Sequence, residues 1–296
     1  MQARALTTGL LLMLSSLAQA NIKIEFDYSY DTAGFFTSQG KSVLGAAAAA
    51  FETRFADSLA AIDSAGGNDF AIRFFDPANP FAPDIILSQQ DFATDVIRVY
   101  VGAANLGSST LGLGGPGGYS CGGFGTFCTD AISRGQGTVT GGGATDFALW
   151  GGNISFSNTA SWYFGTDASG ITPGQSDFYS VAIHELAHVL GFGTADSFSN
   201  LVGGGMFNGP TTGAVVLHDD DSHWAAGTMS LVSGNAQEAA MNPTILKGTR
   251  KYFTDLDYAA MQDIGWQVTP VPEAETWAML LAGLGLVGLA ARSRKR

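Results

Sequence analysis

The sequence predicts an α+β fold: a mixed, twisted sheet packed on one long helix and on a second helix that carries His184-Glu185-Leu186-Ala187-His188, followed by a loop-rich C-terminal lobe. Three observations carry that expectation. Strand-like segments and an Ala-rich helical segment follow each other in β-α-β-β order over residues 21–104. Ile183, Leu186, Ala187 and Leu190 fall at i, i+3, i+4 and i+7, which gives the second helix one buried face and leaves its histidines on another. Beyond Gly191, turn-forming residues dominate until a further helical signal at 253–266.

In chain order, residues 1–20 read as a secretory signal peptide. Arg4 opens it, an apolar run covers Leu10–Leu17, and Ala18-Gln19-Ala20 supplies a small-x-small cleavage site before Asn21. The alternation of Ile22, Ile24, Phe26 and Tyr28 makes 21–30 a strand. Residues 42–63 are Ala-rich and stop near Gly66-Gly67, which predicts a long helix. Segments 70–75 and 95–104 predict two further strands. From Leu106 to Gly143 the Gly-rich chain predicts an irregular surface insertion. Strand character returns at 147–157 and 161–165. Residues 176–190 give the clearest helix, with Ser176 or Asp177 as N-cap and Gly191 as its stop. Thr254, with Asp257 three residues on, is placed to cap the last helix. No internal repeat or interdomain linker is visible, and a division of the domain 21–270 into lobes falls near Gly191, giving 21–191 and 192–270.

Residues 271–296 read as a second processing segment, with a polar start, an apolar run Trp277–Ala291 and a basic tail of Arg292, Arg294, Lys295 and Arg296. The run is shorter than the roughly 20 residues that span a bilayer comfortably, and the tail belongs on the cytoplasmic side. This layout resembles the bacterial PEP-CTERM sorting signal. The resemblance implies processing by an exosortase-type enzyme, transient membrane contact through the apolar helix, and a main domain at the envelope, surface or exterior of a Gram-negative-type bacterium. Val271-Pro272-Glu273-Ala274 departs from the family's Val-Pro-Glu-Pro at its last position. An ordinary C-terminal anchor is the alternative reading.

Without its two ends the chain keeps nine basic and 24 acidic residues, a net charge of about −15, which argues against nucleic acid or anionic lipid as partners of the domain. Cys121 and Cys128 lie in a Gly-rich stretch of an exported chain with no other metal-ligating residue beside them, so a local disulfide is expected.

His184 and His188 are four apart, so a helix sets both imidazoles on one face, where they can share one ion. Glu185, beside His184, can reach a water on an open coordination position. Zinc suits imidazole ligands, and a catalytic site needs three protein ligands plus a water. Four residues are candidates for the third ligand: Thr194, whose neutral hydroxyl is a poor donor, Asp196, His218 and His223. A loop back from His188 closes cheaply at either histidine, so spacing does not choose between them. Asp219, Asp220 and Asp221 can orient a ligand histidine, bind calcium, or form a solvated acidic loop.

The stretch His184-Glu185-Leu186-Ala187-His188-Val189-Leu190-Gly191, with Met241-Asn242-Pro243 after it, resembles the metzincin clan of zinc proteases, and His223-Trp224 resembles the displaced third ligand of its leishmanolysin-like branch. Residues 254–266 are similar to the closing helix of secreted bacterial members. The chain departs from the commoner pattern at Thr194. The resemblance implies a zincin fold, a single catalytic zinc on His184, His188 and His223, Met241 as an apolar floor, Glu185 as general base, and a protein or peptide substrate. It also suggests that the strand at 95–104 is an edge that aligns the substrate by β-addition. The expected activity is zinc-dependent endopeptidase. A non-catalytic zinc-binding surface protein is the rival; an esterase or amidase would also have to act through the metal, since no Gly-x-Ser-x-Gly elbow is present.

Overall fold

The computed structural model describes residues 22–270; the signal-peptide and sorting-segment expectations lie outside the described residues. The first half comprises β1 (Lys23–Asp27), α1 (Ser38–Glu52), β2 (Asp69–Phe74), β3 (Ile85–Leu87), β4 (Val96–Ala104), β5 (Gly112–Pro116), β6 (Gly118–Gly122), α2 (Phe127–Ser133) and β7 (Gly151–Ser157). The second half comprises β8 (Trp162–Tyr163), β9 (Ser176–Asp177), α3 (Phe178–Val189), α4 (Asp196–Ser199), β10 (Val202–Gly203), β11 (Met206–Gly209), β12 (Gly213–Val216), β13 (Met229–Val232), β14 (Asn235–Glu238) and α5 (Asp255–Asp263).

The main sheet has the order β1-β4-β7-β5, with β1, β4 and β7 parallel and β5 antiparallel to β7 at the edge. Helices α1 and α3 pack together against it, and their apolar faces join the sheet in one core. A second cluster, around Phe70, Ile72, Phe74, Tyr100 and Trp150, joins β4 to the antiparallel sheet β3-β2-β6. The main core crosses Gly191 without a break: Phe192, Phe198, Phe207, Trp224, Met241 and Trp266 pack with Leu186 and Phe51. The segment after α3 is held by this shared core and carries a small antiparallel sheet, β10-β11-β12, and the hairpin β13-β14.

Three sequence expectations change. The strand at 95–104 is internal, paired on both sides, and the edges are β1 and β5, of which β5 lies against α3. Its run of Val, Ile, Tyr and Ala has no polar alternation, as expected of a parallel strand covered on both faces. The helix expected over 42–63 instead runs from Ser38 to Glu52, capped by Thr37, whose Oγ1 accepts from the Gly40 N–H at 3.2 Å. Phe55, Leu59 and Ile62 are buried at helical spacing but lie on an extended chain. There the Ala56 N–H donates to Gln267, Ala60 to Arg134 and Ile62 to Phe92, so tertiary partners take the amides a helix would have used. The segment 106–143, expected to be irregular, holds β5, β6 and α2, and Cys121 is bonded to Cys128, tying β6 to α2.

Candidate metal centre

The histidine-bearing helix is fixed first at its N-terminus. Asp177 caps α3 by accepting from the Ser180 N–H at 3.0 Å, and its buried carboxylate also takes the Arg250 guanidinium at 2.8 and 2.9 Å. With the start of α3 set and its apolar face in the core, His184, Glu185 and His188 face a cavity of about 480 Å³.

The third side chain arrives by a close approach of two loops. Gly193 has φ of +69°, and a Cβ there would lie 2.4 Å from the Ser222 carbonyl oxygen, so glycine lets the chain after α3 press against the turn that carries His223. That turn is tight: the His218 N–H donates to His223, and the Asp221 N–H to His218. A bridge between Leu217 and Trp224 closes its base.

The Nε2 atoms of His184, His188 and His223 converge. They lie 3.2 Å apart for 184–188, 3.1 Å for 184–223 and 3.0 Å for 188–223. A tetrahedral ion about 2.05 Å from each ligand nitrogen would separate the nitrogens by about 3.3 Å. Each ring is oriented by an acceptor on its other nitrogen: Ala240 O at 2.9 Å for His184, Phe192 O at 2.8 Å for His188, and Asp220 Oδ2 at 2.8 Å for His223. With Nδ1 facing an acceptor in all three, the three Nε2 atoms are aimed at one point, the donor set of an imidazole metal site. Burial, followed by the neighbouring histidines, holds His184 well below the usual imidazole range; burial and then His223 lower His188 to about 4. Both rings are therefore neutral at pH 7, as metal ligation requires.

The other candidates are elsewhere. Thr194 Oγ1 donates to the His188 carbonyl. Asp196 opens α4 and accepts from the Gly141 N–H. His218 is half-exposed, with its Nδ1 3.1 Å from Asp220 Oδ2, outside the convergent set. Among the described residues His184, His188 and His223 are the one group of three His, Cys, Asp or Glu side chains close enough to hold an ion, and Asp219, Asp220 and Asp221 do not converge in that way. Asp220 instead orients His223. Despite its desolvation, the N–H of Ser222 and the His223 ring hold the Asp220 carboxyl well below the usual range. Met241 is fully buried, and the contact its turn makes with a candidate ligand runs through the preceding carbonyl, Ala240 O.

Glu185 lies between the histidines and the edge strand. A Cβ on Gly112 would come 2.5 Å from Glu185 Oε1, and one on Gly114 would come 2.9 Å from Glu185 Cβ, so β5 reaches the helix only because both are glycine. Burial pushes Glu185 up to about 8, against the lowering effect of a hydrogen bond from the Gly114 N–H. Leu111 O accepts from Ser157 and the Gly117 N–H donates to Gly151, so odd-numbered residues bond β7. Gly112 and Gly114 therefore turn their amide groups toward the cavity. Leu113 on β5 and Pro243, Thr244 and Ile245 beyond Met241 form opposite parts of the cavity wall. Sequence reading missed the Gly112–Gly114 pair, whose signal was the i, i+2 spacing of glycines in an otherwise unreadable stretch.

Two family models match the chain. One is described as SPBPB7E8-like and covers residues 145–205, from β7 through the histidine-bearing helix. The other is the PEP-CTERM protein-sorting motif, over residues 270–295. No curated protein and no solved structure matches. The sorting motif marks an exported protein, sorted to the cell surface of a Gram-negative-type bacterium by an exosortase-type enzyme.

Proposed function

We propose that this chain is a zinc-dependent endopeptidase acting outside the inner membrane, with His184, His188 and His223 as ligands and Glu185 as general base. The observation that carries this reading is the convergence of three oriented imidazoles in an open cavity that also holds a buried carboxylate. A structural zinc site is normally closed by four protein ligands, whereas three histidines leave a position for water or substrate. Zinc held there supplies Lewis-acid polarisation of a peptide carbonyl and makes water acidic enough to attack near neutral pH.

The chain's own residues do the rest. Glu185, kept out of bulk water by Gly112 and Gly114, takes the proton of the attacking water and passes it to the leaving amine. The exposed amides of β5 bind an extended peptide by strand addition, which places its carbonyl over the histidines. Asp220 stabilises the orientation and basicity of His223.

The test is zinc content together with cleavage of a denatured protein by the purified full chain. About one zinc per chain is expected, with cleavage lost on chelation and in Glu185→Ala. Bound zinc without cleavage by the wild type would favour the non-catalytic surface protein. Full cleavage by Glu185→Ala would remove the proposed base.

A further inference from the structure

One buried carboxylate beneath the three histidines does more than its place in the sequence suggests. Asp257 is the third residue of α5 and completes a capping box: it accepts from the Thr254 N–H at 2.9 Å while its own N–H donates to Thr254 Oγ1 at 3.3 Å. A capping box needs only those two reciprocal bonds. Asp257 accepts four more. Thr254 Oγ1 donates to Oδ2 at 2.7 Å, Trp224 Nε1 to Oδ1 at 2.8 Å, the Ala240 N–H to Oδ2 at 2.9 Å and the Met241 N–H to Oδ1 at 3.3 Å. The residue is fully buried, so no water competes for these donors.

Three of those donors stand next to candidate ligands. Ala240 is the residue whose carbonyl accepts from His184 Nδ1 at 2.9 Å. Trp224 follows His223 directly, and its own N–H donates to Met241 O at 3.0 Å. Gripping the Ala240 and Met241 amides and the Trp224 indole at one point thus ties the acceptor behind the first histidine to the chain that presents the third. These two histidines are 39 residues apart and share no element.

We infer that Asp257 is a positioning residue for the metal site, fixing the ring of His184 through Ala240 and the placement of His223 through Trp224. This rests on the reading of the three histidines as zinc ligands. Asp257 touches neither metal nor substrate and acts only through what it holds. Outer partners of this kind change metal affinity about 10- to 100-fold.

The experiment compares three variants of the full chain. Asp257→Asn puts an amide donor where the carboxylate accepts. Trp224→Phe keeps an aromatic side chain, though a smaller one, and removes one donor. Thr254→Ala weakens the same helix cap and removes one Asp257 donor but leaves the Trp224, Ala240 and Met241 donors in place. Zinc affinity by chelator competition, and the visible spectrum of the cobalt-substituted protein, are read well below the unfolding temperature of each variant. Asp257→Asn is expected to bind zinc about 10- to 100-fold more weakly with an altered cobalt spectrum, Trp224→Phe to shift both the same way by less, and Thr254→Ala to match the wild type.

If Asp257→Asn does not fold, Trp224→Phe against Thr254→Ala decides alone. Equal affinity and spectra in Trp224→Phe and wild type, or an equal loss in Thr254→Ala, overturn the positioning role. A wild type that binds neither zinc nor cobalt overturns the underlying metal-site reading as well, and is recognised by that first measurement.

Discussion

At the scale of single residues, the candidate site separates two histidines that look equivalent on paper. His223 Nε2 lies 3.0–3.1 Å from the other two Nε2 atoms, whereas His218 is half-exposed and meets the site only through the Asp220 oxygen that it shares with His223. His223→Ala should therefore lose bound zinc and peptidase activity together, and His218→Ala should keep its zinc within about 2-fold, since it removes only one exposed partner of a carboxylate that retains others. Zinc stoichiometry after dialysis checks both, and the reverse result would move the third ligand to His218. His184, Glu185 and His188 were legible from sequence because a helical period fixes which side chains share a face. His223 was singled out only by the resemblance of His223-Trp224, not by spacing, because nothing in a loop of that length reveals the Gly193–Ser222 approach that brings it back. Asp220 was visible as one of three adjacent acids but not distinguishable from its neighbours until His223 Nδ1 was seen to point at it.

At the scale of elements, β5 is where local pattern and tertiary role part most widely. Gly-Leu-Gly-Gly-Pro has almost no strand propensity, and the chain reads as loop. It is a strand because β7 offers a paired edge and because α3 lies too near for any side chain at Gly112 or Gly114. The opposite error occurred at the end of α1, where Phe55, Leu59 and Ile62 keep a helical spacing while their amides bond other segments. Both show propensity yielding to tertiary contact. The β5 case carries a prediction. In Gly114→Ala the new methyl must push β5 or the Glu185 backbone aside, while none of the three histidines is touched. Zinc stoichiometry should stay near that of wild type while kcat falls by about 100-fold, the order expected when a reacting group is displaced by about 1 Å. Unchanged kcat, or loss of zinc in proportion to activity, would show that β5 does not set the base.

At the scale of the whole molecule, burying Glu185 and the histidines makes the metal-free fold sensitive to pH in a window where few other groups titrate. Burial depresses His184 and His188, so both are neutral in the folded chain throughout this range, while in the unfolded chain they are half-protonated at about pH 6.5 and largely neutral only by about pH 7.5. Asp57, raised by burial to about 6, has largely lost its proton above that point too. Glu185 is different, being raised to about 8, chiefly by burial. Between pH 6.5 and 8 the folded chain keeps that proton and the unfolded chain has already released it. At Glu185 the unfolded state then binds fewer protons, so the contribution of this group to stability falls as pH rises, by up to about 1.4 kcal/mol per pH unit. Glu185→Gln cannot titrate and removes this pH dependence. The melting temperature of the metal-free wild type should therefore decline relative to that of metal-free Glu185→Gln from pH 6.5 to 8, since the histidines contribute equally to both proteins. Parallel curves for the two proteins would mean that Glu185 is solvated in the metal-free chain, and that β5 does not lie on it as closely as the glycine contacts require.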